Sequence, residues 1–125
     1  MSARVYVCDK SDYEKLKELL EYDPYADSSL SSEQLKQISE DKYANIIFAR
    51  QSYTIKSGSA IGLDPEKYYL YLKASDDFFN GAEEKLHKEV PSSKRADPET
   101  EKKVIEIIEE DESKGNFGIG LILGG

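Results

Sequence analysis

Two short segments that are apolar on both sides constrain this chain more than any other feature. Residues 4–8 read Arg-Val-Tyr-Val-Cys and residues 68–74 read Tyr-Tyr-Leu-Tyr-Leu-Lys-Ala. Both have the β-branched and aromatic density of strands, in which successive side chains point to opposite faces. Alternation puts Val5 and Val7 on one side with Tyr6 and Cys8 on the other, and it separates Leu70 and Leu72 from Tyr69 and Tyr71. A sheet made of such strands has two apolar faces. Both must be covered, because contiguous apolar patches of more than a few hundred Å² are seldom left in water.

The rest of the chain supplies the covering elements. Ser11 precedes Glu14 by three residues, the spacing of a capping box, and Leu16, Leu19 and Leu20 follow at helical intervals until Asp23-Pro24. Ser31 and Gln34 repeat the box ahead of a short second helix carrying Leu35 and Ile38. Residues 44–55 are rich in Ile, Phe, Tyr and Thr without Gly or Pro, so a long strand is expected there. A loop over 56–64 joins it to the strand at 68–74. Ser75 caps a third helix, in which Asn80-Gly81 is a turn signal. Residues 90–96 form a Pro/Ser-containing loop. Asp97-Pro98 then starts a fourth helix striped by Val104, Ile105, Ile107 and Ile108, with a stop expected at Lys114-Gly115. The apolar run at 117–123 is expected to close the sheet.

The resulting order is strand, helix, helix, strand, strand, helix, helix, strand. The expected class is α+β, a ferredoxin-like βααββααβ arrangement with a four-stranded, mainly antiparallel sheet ordered 4-1-3-2 and two added helices. The alternative is an open mixed α/β sheet with helices on both faces. Residues 1–125 are expected to form a single domain, as 125 residues with 38% hydrophobic content support one core.

Composition narrows function mainly by exclusion. With 17 basic and 25 acidic residues the formal charge is −8, the wrong sign for a protein that gains affinity from phosphates. The segment Arg4-Val5-Tyr6-Val7 resembles the first-strand motif of RNA-recognition domains. The Lys/Arg-Gly pair that precedes the stacking aromatics of that family's third strand has no counterpart at 68–72, so nucleic acid is not an expected partner. One cysteine and one histidine cannot build a Cys/His zinc site, and a lone thiol fits the reducing cytoplasm. No signal-peptide core or membrane-length apolar run is evident, and neither cofactor nor metal is expected. Abundant Lys and Glu with one Cys, one Met and no Trp suit a heat-adapted source.

Two surfaces stand out as candidate sites. On the second sheet face, Tyr6, Phe48, Tyr69 and Tyr71 offer a surface to a protein partner or a second copy of the chain. At the sheet edge, Cys8, Asp9, Lys10, Ser57, Gly58 and Ser59 could hold a small polar ligand near the first turn of a helix. The expectation is a small, acidic, cytoplasmic binding protein without catalytic activity. The alternative is a small enzyme or ligand-responsive module centred on Cys8, Asp9 and the 56–64 loop. A third reading takes Gly124-Gly125 as the tail of a carrier, by resemblance to ubiquitin-like modifiers. The acidic run at 109–112 reads as a solvated surface or a weak cation site.

Overall fold

Which helix covers which sheet face depends on the strand register. The computed structural model describes the backbone of every residue except Asp27 and Gly125, and the side chains of residues 1–112 apart from Asp27. In chain order the elements are β1 (Ser2–Asp9), α1 (Tyr13–Glu21), α2 (Ser32–Ser39), β2 (Ser52–Ser57), β3 (Lys67–Ala74), α3 (Asp76–Glu89), β4 (Lys94–Arg95) and α4 (Pro98–Gly124). They form an α+β fold with a four-stranded sheet ordered β2-β3-β1-β4, every pairing antiparallel. β1 and β2 both run against β3, which lies between them, so α1 and α2 belong to a crossover between parallel strands. α3 makes the equivalent crossover from β3 to β4, with β1 between them.

The expected spatial order 4-1-3-2 is the one found, but its last strand is a different piece of chain. β4 is a two-residue bridge within the expected 90–96 loop, pairing Tyr6 with Arg95 and Val7 with Lys94. Two residues are too few to show a period. The run at 117–123, expected as a strand, belongs to α4, whose backbone is helical through Gly124. Its apolar positions 117 and 121, or 119 and 123, are also spaced for a helix, so the sequence pattern there served two periods. The element order is thus βααββαβα rather than the ferredoxin-like βααββααβ.

Direct cross-strand partners share a face, and the register sets Val5 opposite Tyr71, Val7 opposite Tyr69, Tyr6 opposite Leu70 and Cys8 opposite Tyr68. The expected faces were therefore out of phase between strands, since Tyr69 and Tyr71 lie with the valines and Tyr6 and Cys8 with the leucines. The Tyr6 face packs under α1 and α3 through Leu16, Leu19, Leu20, Phe79 and Leu86. On the Val5 face, Tyr69 and Tyr71 pack under α4 with Val104 and Ile108, one helical turn apart. Helices on both faces were the alternative expectation, although no pairing in the sheet is parallel.

Glu101 fixes α4 to the sheet. Its carboxylate accepts the Val5 amide (3.0 Å) and both Arg95 guanidinium donors (2.9 Å each), while the Val5 carbonyl accepts the Ala96 amide (2.9 Å). At Val5 the β1 edge beyond β4 is thereby satisfied by one side chain and one loop amide. At the start of the helix, Asp97 accepts the Thr100 amide (2.9 Å), as its place before Pro98 predicts.

The long strand expected over 44–55 is present only as β2. Ahead of it, Phe48–Arg50 is a 3-10 turn, and Phe48 packs edge-on against Phe78 with ring centres 5.5 Å apart. Ile46, Ile47 and Phe48 are apolar because this irregular segment fills the space between α1 and α3, a reason that imitates a strand in the sequence. The first capping box is also absent. Asp12, not Ser11, precedes α1, and its side chain makes no cap bond. The second box is complete: Ser31 Oγ accepts the Gln34 amide (3.1 Å) and Gln34 accepts the Ser31 amide (2.8 Å). The turn signal Asn80-Gly81 marks a kink within α3, with Gly81 at φ 99°.

Candidate functional site

The four aromatic side chains expected to form a partner surface are core residues. Tyr6, Phe48, Tyr69 and Tyr71 are 4%, 1%, 5% and 1% exposed, and they divide between the two sides of the sheet. Buried hydroxyls need partners, and the structure supplies them: Tyr6 Oη donates to Glu83 (2.7 Å) and Tyr71 Oη to Glu109 (2.8 Å). Both phenols are pushed well above their ordinary range, first by burial and then by the adjoining carboxylate. One member of the acidic run at 109–112 is thus a buried tyrosine's acceptor.

The edge set is partly assembled. Cys8 and Ser57 both pair with Tyr68, from opposite sides, so one sheet row brings them to the same end. Apart from the exposed Lys10 side chain, the remaining polar groups are engaged within the chain. Asp9 is ion-paired with Lys67, and the Lys10 amide donates to the Glu66 carbonyl (2.9 Å). Ser57 Oγ accepts the Ala60 amide (3.3 Å) and lies 3.3 Å from Ser59 Oγ. Gly58 is buried where a Cβ would fall 1.7 Å from the Asp64 carbonyl oxygen, so its glycine serves close backbone contact.

Cys8 is 3% exposed, and burial, followed by the nearby Asp12 and Asp9 charges, pushes its thiol up to about 11. This is the reverse of activation, because a nucleophilic cysteine needs a stabilised thiolate. Asp12 instead accepts the Ser92 amide and hydroxyl (3.1 and 2.6 Å), while Ser92 Oγ accepts the Asp9 amide (3.0 Å). These bonds pin the turn after α3 to the end of β1. His87 is exposed and bonded to the Ser93 carbonyl (3.0 Å). Among the described residues no three His, Cys, Asp or Glu side chains are placed to hold a metal ion.

An open groove lies elsewhere, between α1, α2 and the last turns of α3. This groove has a volume of about 860 Å³, within the range of small-molecule sites. Leu19 of α1, Ile38 of α2, Leu30 and Ile47 supply apolar wall, and Tyr22 and Tyr43 supply aromatic wall. It exists because α2 stands off from the core. Leu35 and Ile38 are only half-buried, and no residue of that helix is fully buried.

Polar links fix the segments that wall the groove. Arg50 donates to both Asp23 oxygens (2.8 and 3.2 Å), tying the end of the α1 turn to the segment before β2. Lys42 pairs with Glu84 (2.9 Å), and Asp41 accepts the Tyr43 amide (2.7 Å). At Gly81 an added Cβ would meet Ile46 Cδ1 at 3.0 Å, so the loop before β2 lies directly on the α3 kink.

Lys85 is the polar group set deepest in this groove. Its ammonium is half-buried, donates to the Ile46 carbonyl (2.7 Å) and lies 6.0 Å from the Tyr22 ring centre. Removal from water lowers its pKa below the ordinary lysine range, with Asp41 and Glu89 opposing the effect from a distance. Among the described residues no carboxylate forms an ion pair with it. Sequence reasoning missed the groove because its lining comes from four separate segments. The available signal was the short helix α2 (Ser32–Ser39), too thinly apolar to be covered on one side.

No family model, curated protein or solved structure matches this chain. Among the described residues no helix is long and apolar enough to cross a membrane.

Proposed function

We propose that this chain is a non-catalytic binding module whose groove beneath α2 takes a small molecule with an apolar body. The observation that carries this reading is the groove itself. A helix that buries no residue leaves about 860 Å³ walled by aliphatic and aromatic side chains. Volume, partial enclosure and a few polar groups at fixed positions are the features by which small-ligand sites are recognised. A protein partner is less well supported, because the aromatic side chains that would have formed its surface lie inside the chain. Apart from the Lys10 ammonium, the edge set around Cys8 has its polar groups in internal bonds, and its thiol is poorly placed to react. A single unpaired cysteine favours a reducing location, and the cytoplasm is the compartment we assign.

The neutral fluorophore N-phenyl-1-naphthylamine provides the test. It is expected to bind the native protein and to perturb backbone amide resonances of α1, α2 and residues 41–47. Ile38→Trp, at a half-buried wall position, narrows the groove and should weaken binding at least several-fold while the circular dichroism spectrum is kept. Unchanged binding by that variant, or perturbations centred on other elements, would sink the reading.

A further inference from the structure

The ligand's charged group can be read from Lys85, given that the groove is a small-molecule site as proposed above. An ammonium has three donors, and only one bond is made here, to the Ile46 carbonyl. The group is nevertheless partly withdrawn from water beside Leu19, Ile47 and the Tyr22 ring. A partly desolvated charge is unfavourable unless something pairs with it, and the nearest carboxylates, Asp41 and Glu89, act on Lys85 without forming an ion pair with it. Its two unused donors match the two oxygens of a carboxylate.

The surrounding charges limit the size of that charge. Lys15, Lys85 and Lys88 line the groove together with Glu18, Asp41 and Glu89, three of each sign, so the walls are neutral before the ligand enters. On neutral walls attraction and repulsion both scale with the ligand's charge, whereas the cost of desolvating the ligand rises with its square, so a dianion such as a phosphate monoester loses more on entry than a monoanion does. A single negative charge at the Lys85 end, with the rest of the molecule on the aliphatic and aromatic walls, pairs with the ammonium at the lower cost. We infer that the groove selects singly charged carboxylates with an apolar body, anchored by Lys85.

Three naphthalene ligands of matched size test this by calorimetry at neutral pH: 2-naphthylacetate, 2-naphthaleneethanol and 2-(2-naphthyl)ethylamine. A charge-assisted hydrogen bond contributes about 1.5–3 kcal/mol, so the carboxylate should bind about tenfold to a hundredfold more tightly than the alcohol. The amine should bind more weakly than either. Lys85→Met should bring the carboxylate-to-alcohol ratio close to one, and Lys85→Arg should retain the preference. Equal binding of carboxylate and alcohol to the native protein overturns the inference and leaves the groove reading intact, as does a preference that survives Lys85→Met. If none of the three binds, the groove reading falls as well.

Discussion

α1 and α2 lie in the same crossover between β1 and β2, yet one is part of the core and the other stands over an open groove. Both are short and amphipathic. α1 buries Leu16, Leu19 and Leu20 against the sheet and α3, whereas α2 buries nothing completely. Their caps differ in the opposite sense: α1 has no side-chain cap bond, and α2 has a complete capping box. The helix with the stronger tertiary packing dispenses with local stabilisation, and the helix with little packing relies on it. This is the balance expected when an isolated helix of eight or nine residues is too short to be stable in water.

The largest effect that would sharpen this contrast lies on α1. Leu20 is fully buried, and truncation to Ala removes contacts on every side and leaves a cavity. Leu20→Ala should cost about 2–5 kcal/mol in urea unfolding, with an unchanged slope if unfolding stays two-state. A loss below about 1 kcal/mol, the range of surface substitutions, would show that α1 is not the core helix described here.

An intermediate effect is expected at the cap of α2. Replacing Ser31 by Ala deletes the acceptor for the Gln34 amide, a loss of about 0.5–2 kcal/mol for a typical N-cap. Because α2 is so lightly packed, the loss should appear as local opening rather than as global destabilisation. Amide exchange in α2 should accelerate several-fold while exchange in α1 and β3 stays as it was. Equal acceleration everywhere would mean that α2 opens only with the whole fold, and the contrast would be broken.

The legible parts of the fold were those with a local cause. Val5 to Cys8 and Tyr68 to Ala74 alternate because they are strands, and Ser31, Ser75 and Asp97 cap because their oxygens accept from the amide three residues on. The need for helices on both sheet faces followed from the same alternation. What the sequence hid was relational. Whether Tyr6 shares a face with Tyr69 or with Leu70 depends on a one-residue register, and alternation within each strand is the same in either case. β4 carries no pattern because it is a two-residue bridge, and Ile46 to Phe48 are apolar through packing between helices. The groove was least legible of all, since it is an absence of packing by α2, and no spacing of residues encodes an absence.

The smallest stability effect, and the one that separates stability from binding, belongs to Ile38. Its side chain lines the groove and is only half-buried, so Ile38→Ala gives up a fraction of the transfer energy of a buried aliphatic side chain and creates no closed cavity. The expected change in urea stability is about 1 kcal/mol or less. The same substitution removes apolar wall where the ligand body would lie, so the affinity for N-phenyl-1-naphthylamine should fall several-fold. At Leu20 stability is the property at risk; at Ile38 it is binding. If Ile38→Ala instead destabilises the fold as much as Leu20→Ala and leaves probe affinity unchanged, α2 is a core helix in solution and the groove is closed. That pair of results would erase the difference between the two helices on which the binding reading stands.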